Sequence, residues 1–155
     1  MTLGPQIIAT FDNNNDVGST EAYWGLVPNN TNTLPHLLVV GFDLYTIDPS
    51  AVFRATVLRV EGYSNASPVT GTNSPRASAT TRDRHPAIFT DPSGVQSISN
   101  HSFCANAPLE FRFPEPLEVR KDWDNTADHY FALAIKRMDN SSSVRVLCNV
   151  YYNEY

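Results

Sequence analysis

The stretch that decides the fold is residues 129–152, which reads HYFALAIKRM, then DNSSS, then VRVLCNVYY. Residues 131, 133 and 135 are the large apolar members of the first run, and the second run alternates in the same way. Successive side chains of a strand point to opposite faces, so this period of two predicts two strands. Short polar side chains between the runs favour a turn. The segment is predicted to be a long antiparallel hairpin that needs a sheet to receive it.

The most apolar strand candidate is residues 37–47, LLVVGFDLYTI. Even-numbered residues 38–44 would share one apolar face, and Gly41 and Asp43 interrupt the other. Strands that are apolar on both faces are usually covered on both sides. We therefore expect this strand to be covered twice.

Strand-like stretches recur along the chain, separated by clusters of turn residues. The chain contains fourteen asparagines and eleven prolines, and no window has a sustained 3.6-residue apolar period. This pattern predicts an all-β fold, a two-layer antiparallel β-sandwich of about eight strands, in one domain over residues 1–155. Eight strands closed by a terminal hairpin favour a jelly roll, because the Cys…Trp…Cys spacing of immunoglobulin domains is absent. Residues 64–86 are predicted to form a long surface loop.

Charge is distributed unevenly along the chain. Residues 1–53 contain five carboxylates and no Lys or Arg, and the whole chain has a net charge of −5. Proteins that bind nucleic acid need clustered cations, so no direct nucleic-acid contact is expected. No stretch is apolar and long enough to insert into a membrane. The first residues lack the features of a secretion signal, so either the protein does not use that route or the sequence begins inside a longer chain.

The closing part of the chain resembles small viral jelly-roll proteins. The resemblance lies in strands 109–113 and 117–120, the acidic turn 122–125, and the terminal strands 129–137 and 144–152. It implies a capsid-type protein of the virion that forms homo-oligomers and contacts a host receptor. Shell proteins that package nucleic acid carry a basic amino-terminal arm, which this chain lacks. The resemblance therefore points to a projecting or outer surface domain that attaches to the host.

A possible metal site lies in the sequence DNNND. Asp12, Asn14 and Asp16 are oxygen-bearing residues at alternate positions, which is what Ca²⁺ prefers. The alternative is a turn whose side chains bond to its own backbone, and this is the favoured interpretation. We expect no cofactor, with Ca²⁺ as the only candidate.

The predicted loop carries a basic cluster of Arg76, Arg82, Arg84 and His85. Guanidinium groups bind carboxylates and sulfates in bidentate fashion, so the cluster could bind a host glycan or an acidic neighbouring subunit. The alternative is a solvated loop in which Asp83 pairs locally with a flanking arginine.

The carboxyl-terminal tyrosines Tyr151, Tyr152 and Tyr155 are predicted to contact another copy of the chain. Tyrosine is enriched in protein interfaces, and an exposed tail gains little from three phenol groups. Cys104 and Cys148 are interpreted as two free thiols, with a disulfide as the alternative.

No catalytic motif is present, and the four histidines lack metal-ligand spacing, so we expect no enzyme activity. The leading hypothesis is a structural virion protein that acts by self-association and host-surface recognition. The second is a lectin-like carbohydrate-binding module, in which Trp24 or Trp123 stacks on sugar and Asp12 and Asp16 hold calcium. The third is a hydrolase with two facing carboxylates.

Overall fold

The structure, a computed structural model, describes residues 7–11, 16–28, 36–61, 66–68, 84–89, 95–120 and 129–154. All regular elements in these ranges are strands. They are β1 (Ile7–Phe11), β2 (Asp16–Val17), β3 (Ala22–Pro28), β4 (His36–Thr46), β5 (Val52–Glu61), β6 (Ala66–Pro68), β7 (Arg84–Phe89), β8 (Val95–Cys104), β9 (Leu109–Arg120), β10 (His129–Arg137) and β11 (Val144–Glu154). No helix long and apolar enough to cross a membrane occurs within these ranges.

The strands form two antiparallel sheets. The first sheet has the order β1-β11-β4-β9, with β2 beside β11, and the second has the order β6-β7-β3-β10-β5-β8. Each sheet alternates strands from the two ends of the chain, and most connections cross from one sheet to the other. This is the arrangement of a jelly roll, in which eight strands form two Greek keys. The predicted β-sandwich is confirmed, and the short strands β2, β6 and β7 are additions to its eight principal strands.

The core lies between the two sheets and follows the alternation seen in the sequence. Phe131, Leu133 and Ile135 of β10 are completely buried, as predicted. Burial of one large apolar side chain contributes about 1.5–3 kcal/mol, so these inward-facing rows hold the layers together. The largest fully buried side chains are Trp24, Leu26, Phe42, Leu44, Phe53, Phe131, Leu133 and Tyr152.

Strand β4 departs from the predicted alternation at Val40. Val40 is the extra residue of a β-bulge. Gly41 lies opposite Tyr151, whereas Val39 lies opposite the next residue, Tyr152. An extra residue in a strand reverses which face the following side chains take. Val39 therefore belongs to the core, whereas the prediction assigned the even-numbered residues to one face throughout.

Strand β9 runs continuously through Pro114 and Pro116, where the sequence indicated a break. It is the last strand of the first sheet, and proline is tolerated at such an edge because no neighbour needs its missing N–H. The register shifts here, since Leu117 pairs with Val39 and Arg112 pairs with Gly41.

The predicted loop 64–86 is partly β-structure. Its two ends form β6 and the start of β7, and β7 pairs with β3 to extend the second sheet. Residues 69–83 lie outside the described residues.

Candidate functional site

The predicted calcium ligands are only partly within the described chain. Asp12 and Asn14 lie outside it, and the backbone of Asp16 is in β2, opposite Arg145 of β11. In the ranges that the structure describes, no three acidic, histidine or cysteine side chains are grouped closely enough to hold a metal ion. The calcium site stays a prediction.

The basic cluster is divided between described and undescribed residues. Arg76 and Arg82 lie outside the described ranges. Arg84 and His85 were predicted in a loop, but their backbone is the first part of β7, paired with Pro28 and Val27 of β3. Pairing with β3 ties this end of the cluster to the second sheet, which corrects the prediction of a free loop for these two residues.

The two described tyrosines of the predicted contact, Tyr151 and Tyr152, lie in different environments. Tyr152 is completely buried in the core, so its side chain cannot reach another copy, and that part of the prediction is wrong. Tyr151 is half-buried on the outer face of the first sheet, and Tyr155 lies outside the described residues. Trp24 is also in the core, which excludes it as a sugar-stacking platform, and Trp123 lies outside the described residues.

A cluster of polar side chains surrounds Asp43 on the outer face of the first sheet. Asp43 Oδ1 accepts a hydrogen bond of 2.8 Å from Arg112 Nη1, and its Oδ2 accepts one of 2.5 Å from the Tyr151 hydroxyl. The Arg112 guanidinium lies 4.4 Å from the centre of the Tyr151 ring. The hydroxyl of Tyr45 donates to Glu110 at 3.4 Å. Asp43 is only 4% exposed. The sequence predicted that a further layer covers this face of β4, but side chains of the same sheet cover Asp43 instead.

Gly41 makes this cluster possible. Gly41 of β4 lies between two neighbours across the sheet, Tyr151 of β11 on one side and Arg112 of β9 on the other. A Cβ atom at Gly41 would lie 2.2 Å from the carbonyl oxygen of Phe111 and 2.7 Å from Cδ of Arg112. The missing side chain therefore leaves the space through which Arg112 crosses β4 to reach Tyr151.

The cluster shifts the pKa of each ring hydroxyl that borders Asp43. The hydrogen bond to Asp43, together with burial, raises the pKa of Tyr151 to about 12. Burial, with the charge of Asp43 as the next cause, raises the pKa of Tyr45. The hydrogen bond to Asp43 also raises the pKa of Arg112, so the guanidinium remains charged over the accessible pH range. The cluster is therefore held together by hydrogen bonds and opposite charges centred on Asp43.

We expect Tyr151 to titrate about two pH units above a free tyrosine, whose pKa is about 10. A folded-state pKa above the unfolded value contributes stability that is complete below about pH 10 and is lost as the pH rises towards about 12. Absorbance at the phenolate band during a pH titration measures the first quantity, and denaturant midpoints measure the second. Tyr151→Phe should remove one tyrosine from the high-pH phase, to which Tyr45 also contributes. If the wild-type titration minus that of the variant shows a group titrating near pH 10, the cluster geometry is contradicted.

A second polar surface lies on the outer face of the second sheet. Tyr23, Ala134, Thr56 and Asn100 stand directly opposite one another across four strands. The small side chain of Ala134 leaves a depression of about 370 Å³. We call it the trough, and its lining includes Glu21, Tyr23, Arg54, Thr56, Asn100 and Ala134.

The walls of the trough are held by hydrogen bonds between their own side chains. Arg54 Nη2 donates to Glu21 Oε1 at 2.9 Å, and the Tyr23 hydroxyl donates to Glu21 Oε2 at 2.9 Å. Thr56 Oγ1 donates to Asn100 Oδ1 at 2.5 Å. Glu21 is the single carboxylate among the described lining residues, so this part of the lining does not contain the two facing carboxylates of a glycoside hydrolase.

One serine–histidine pair could suggest a nucleophile. Ser99 Oγ lies 2.9 Å from His101 Nε2. The imidazole ring packs 4.6 Å from the ring centre of Phe111, and burial lowers the pKa of His101. A catalytic pair needs a third group to orient its base, and no carboxylate of the described residues contacts this ring. His101 is therefore a packed aromatic side chain that also contacts the hydroxyl of Ser99.

The two cysteines are free thiols, as interpreted from the sequence. Cys148 is completely buried, and burial raises the pKa of its thiol. A neutral thiol in the core acts as a small apolar side chain.

The sequence contained one indication of the polar cluster around Asp43 and none of the trough. Gly41 and Asp43 interrupt an otherwise apolar strand, and such an interruption is the local mark of a buried polar cluster. The trough depends on the register of four strands that are distant in sequence, so no local pattern could reveal it.

Neither a protein-family model nor a curated protein matches this chain. Two of the similar solved structures cover almost the whole chain but superpose loosely. A chain of turnip yellow mosaic virus is 12% identical with a TM-score of 0.33, covering 97% of this chain and 92% of that chain. A chain of desmodium yellow mottle tymovirus is 12% identical with a TM-score of 0.28, covering 99% of this chain and 81% of that chain. At identities this low and superpositions this loose, neither similarity assigns a function.

Proposed function

We propose that this chain is a structural virion protein, a projecting or outer surface domain of a capsid, that acts by self-association and host-surface recognition without catalysis. The jelly-roll strand order supports this class, because viral capsid domains use it, although lectins use it as well. The observation that carries the proposal is the outer face of the first sheet. There Ile8, Tyr45, Glu110, Arg112 and Tyr151 surround Asp43, and we call this surface the tyrosine–arginine patch.

The composition of the patch suits a protein interface. Tyrosine and arginine are enriched in interfaces and contribute a large share of binding energy. Contacts with Asp43 already hold Arg112 and Tyr151 in place, so little side-chain freedom would be lost on binding. Ile8 lies opposite Tyr151 and is 42% exposed, which adds an apolar contact at the edge of the patch.

The charges of the patch favour a second copy of the same chain as its partner. Glu110 is an exposed carboxylate, and Arg112, although it is paired with Asp43, keeps 49% of its side chain exposed. A two-fold axis between these two side chains places Arg112 of one copy beside Glu110 of the second copy, and Glu110 of the first beside Arg112 of the second. The patch is thus complementary to itself, whereas a surface of one sign would repel its copy.

The test is sedimentation of the wild type and of Ile8→Glu over a range of concentrations. We expect wild-type self-association and a dissociation constant raised about tenfold or more in the variant, because a buried isoleucine contributes about 1.5–3 kcal/mol. Ile98→Glu is the matched control: Ile98 is 41% exposed but belongs to the second sheet, so it should associate as the wild type does. A wild-type monomer at high micromolar concentration, or equal effects of both variants, would contradict the proposal.

Host-surface recognition is proposed for the basic cluster of Arg76, Arg82, Arg84 and His85, whose guanidinium groups suit carboxylated or sulfated glycans. Replacing the three arginines by serine should reduce attachment to cells that carry such glycans. Unchanged attachment would remove the cluster from recognition while leaving self-association untouched.

A further inference from the structure

We propose that the trough on the outer face of the second sheet binds one uncharged sugar residue of a host glycan. This inference gives the recognition part of the proposed function a second site and a ligand class, and it rests on that function. The trough is on the opposite sheet from the tyrosine–arginine patch, so self-association through the patch would leave it open.

The depression has the size of a small ligand site. Its volume of about 370 Å³ falls at the lower end of the roughly 300–1,000 Å³ that such sites occupy. Ala134 forms the floor between the taller side chains Tyr23 and Thr56, which are its direct neighbours across the sheet. Leu58 adds a second apolar side chain to the lining. One face of a sugar ring is made of C–H groups, and this apolar floor beside a phenol ring can receive it.

Unused hydrogen-bond donors stand at one side of this floor. Thr56 occupies Asn100 Oδ1, which leaves the amide nitrogen of Asn100 without a partner among the described residues. The hydroxyl of Ser97, which also lines the trough, makes no hydrogen bond with any described side chain or backbone group. Both residues are exposed, so water satisfies them when the trough is empty. Hydroxyl and carbonyl oxygens of a sugar are suitable acceptors for these two groups.

The charges of the trough select against an anionic ligand. Glu21 and Arg54 form an ion pair of 2.9 Å and neutralise each other. A carboxylated or phosphorylated ligand would therefore lie beside the carboxylate of Glu21. Arg54, the cation that could balance the charge of the ligand, is already paired with Glu21. A neutral sugar meets no such repulsion, and its binding should depend little on salt concentration.

The experiment is a titration of the full chain with methyl hexosides, N-acetylhexosamines and a carboxylated sugar, followed by chemical shifts of the trough residues. We expect saturable binding of at least one neutral sugar. Asn100→Ala should weaken it about fivefold to tenfold, the usual effect of one lost hydrogen bond. Asn106→Ala is the control, because Asn106 is an exposed asparagine in the turn between β8 and β9.

Ala134→Leu should abolish binding by filling the floor, with the melting temperature as the check that the variant is folded. If it does not fold, Asn100→Ala and Ser97→Ala carry the same test. Binding of the carboxylated sugar alone, no binding of any sugar, or equal affinity in Asn100→Ala and the wild type would overturn the inference. Sedimentation of the same variants separates the two proposals, because trough variants should self-associate normally.

Discussion

Replacing Gly41 by alanine is expected to lower the free energy of unfolding by about 3 kcal/mol or more, because there is no room for one additional carbon. The new Cβ would lie 2.2 Å from a backbone oxygen of Phe111, and a backbone atom of the neighbouring strand cannot rotate away. The backbone of β9 must shift at Phe111, and the side chain of Arg112, whose Cδ would lie 2.7 Å from the new atom, must move as well. Denaturant unfolding measures the loss of stability.

Gly18→Ala is the matched control for this prediction. A Cβ atom there would lie 2.7 Å from Ser143 Oγ, the end of a side chain that can take another rotamer, and 3.1 Å from the backbone oxygen of Ser141. The cost should therefore be smaller than at Gly41. A second readout is independent of stability: in Gly41→Ala the pKa of Tyr151 should fall from about 12 towards its ordinary value as the cluster opens. Stability within about 0.5 kcal/mol of the wild type would contradict the packing described here.

The sequence was sufficient to predict the regular strands of the closing hairpin. Phe131, Leu133 and Ile135 share one buried face because nothing interrupts their alternation, and β10 pairs with a neighbour on each side. The bulge at Val40 could not be predicted from the alternation of β4. A bulge depends on what the neighbouring strands require, and those strands, β9 and β11, lie more than sixty residues further along the chain.

The sites were less predictable than the strands for a related physical reason. Tyr151 and Asp43 are 108 residues apart in sequence, and only the pairing of β11 with β4 brings them together. Tyr151 and Tyr152 are neighbours with the same chemistry, yet one contacts Asp43 on the outer face and the other is in the core. Composition identified the tyrosines as interface candidates, but the face that each one occupies is a property of the register.

The second large loss of stability is expected from Asp139→Ala, in the turn between β10 and β11. Asp139 Oδ1 accepts hydrogen bonds from Arg137 Nε at 2.9 Å and from the backbone N–H of Val52 at 3.0 Å, and its Oδ2 accepts one from Arg137 Nη2 at 3.0 Å. The Arg137 side chain is only 2% exposed. Removing the carboxylate leaves a buried guanidinium charge without its counter-ion, which is the costly way to break an ion pair.

Asp48→Asn is the comparison variant, because the hydrogen bonds of the Asp48 carboxylate go to the backbone N–H and hydroxyl of Ser50 and only its charge acts on Arg137. We expect a much larger fall in melting temperature for Asp139→Ala.

The pH dependence has a defined sign: hydrogen bonds from Arg137 and Val52 lower the pKa of Asp139 below that of an unfolded aspartate. Its contribution is therefore complete above about pH 4 and decreases as the pH falls below that value. Asp139→Ala should flatten this acid limb. Equal melting temperatures of the two variants at neutral pH would show that Arg137 is solvated or paired elsewhere, and would contradict this prediction.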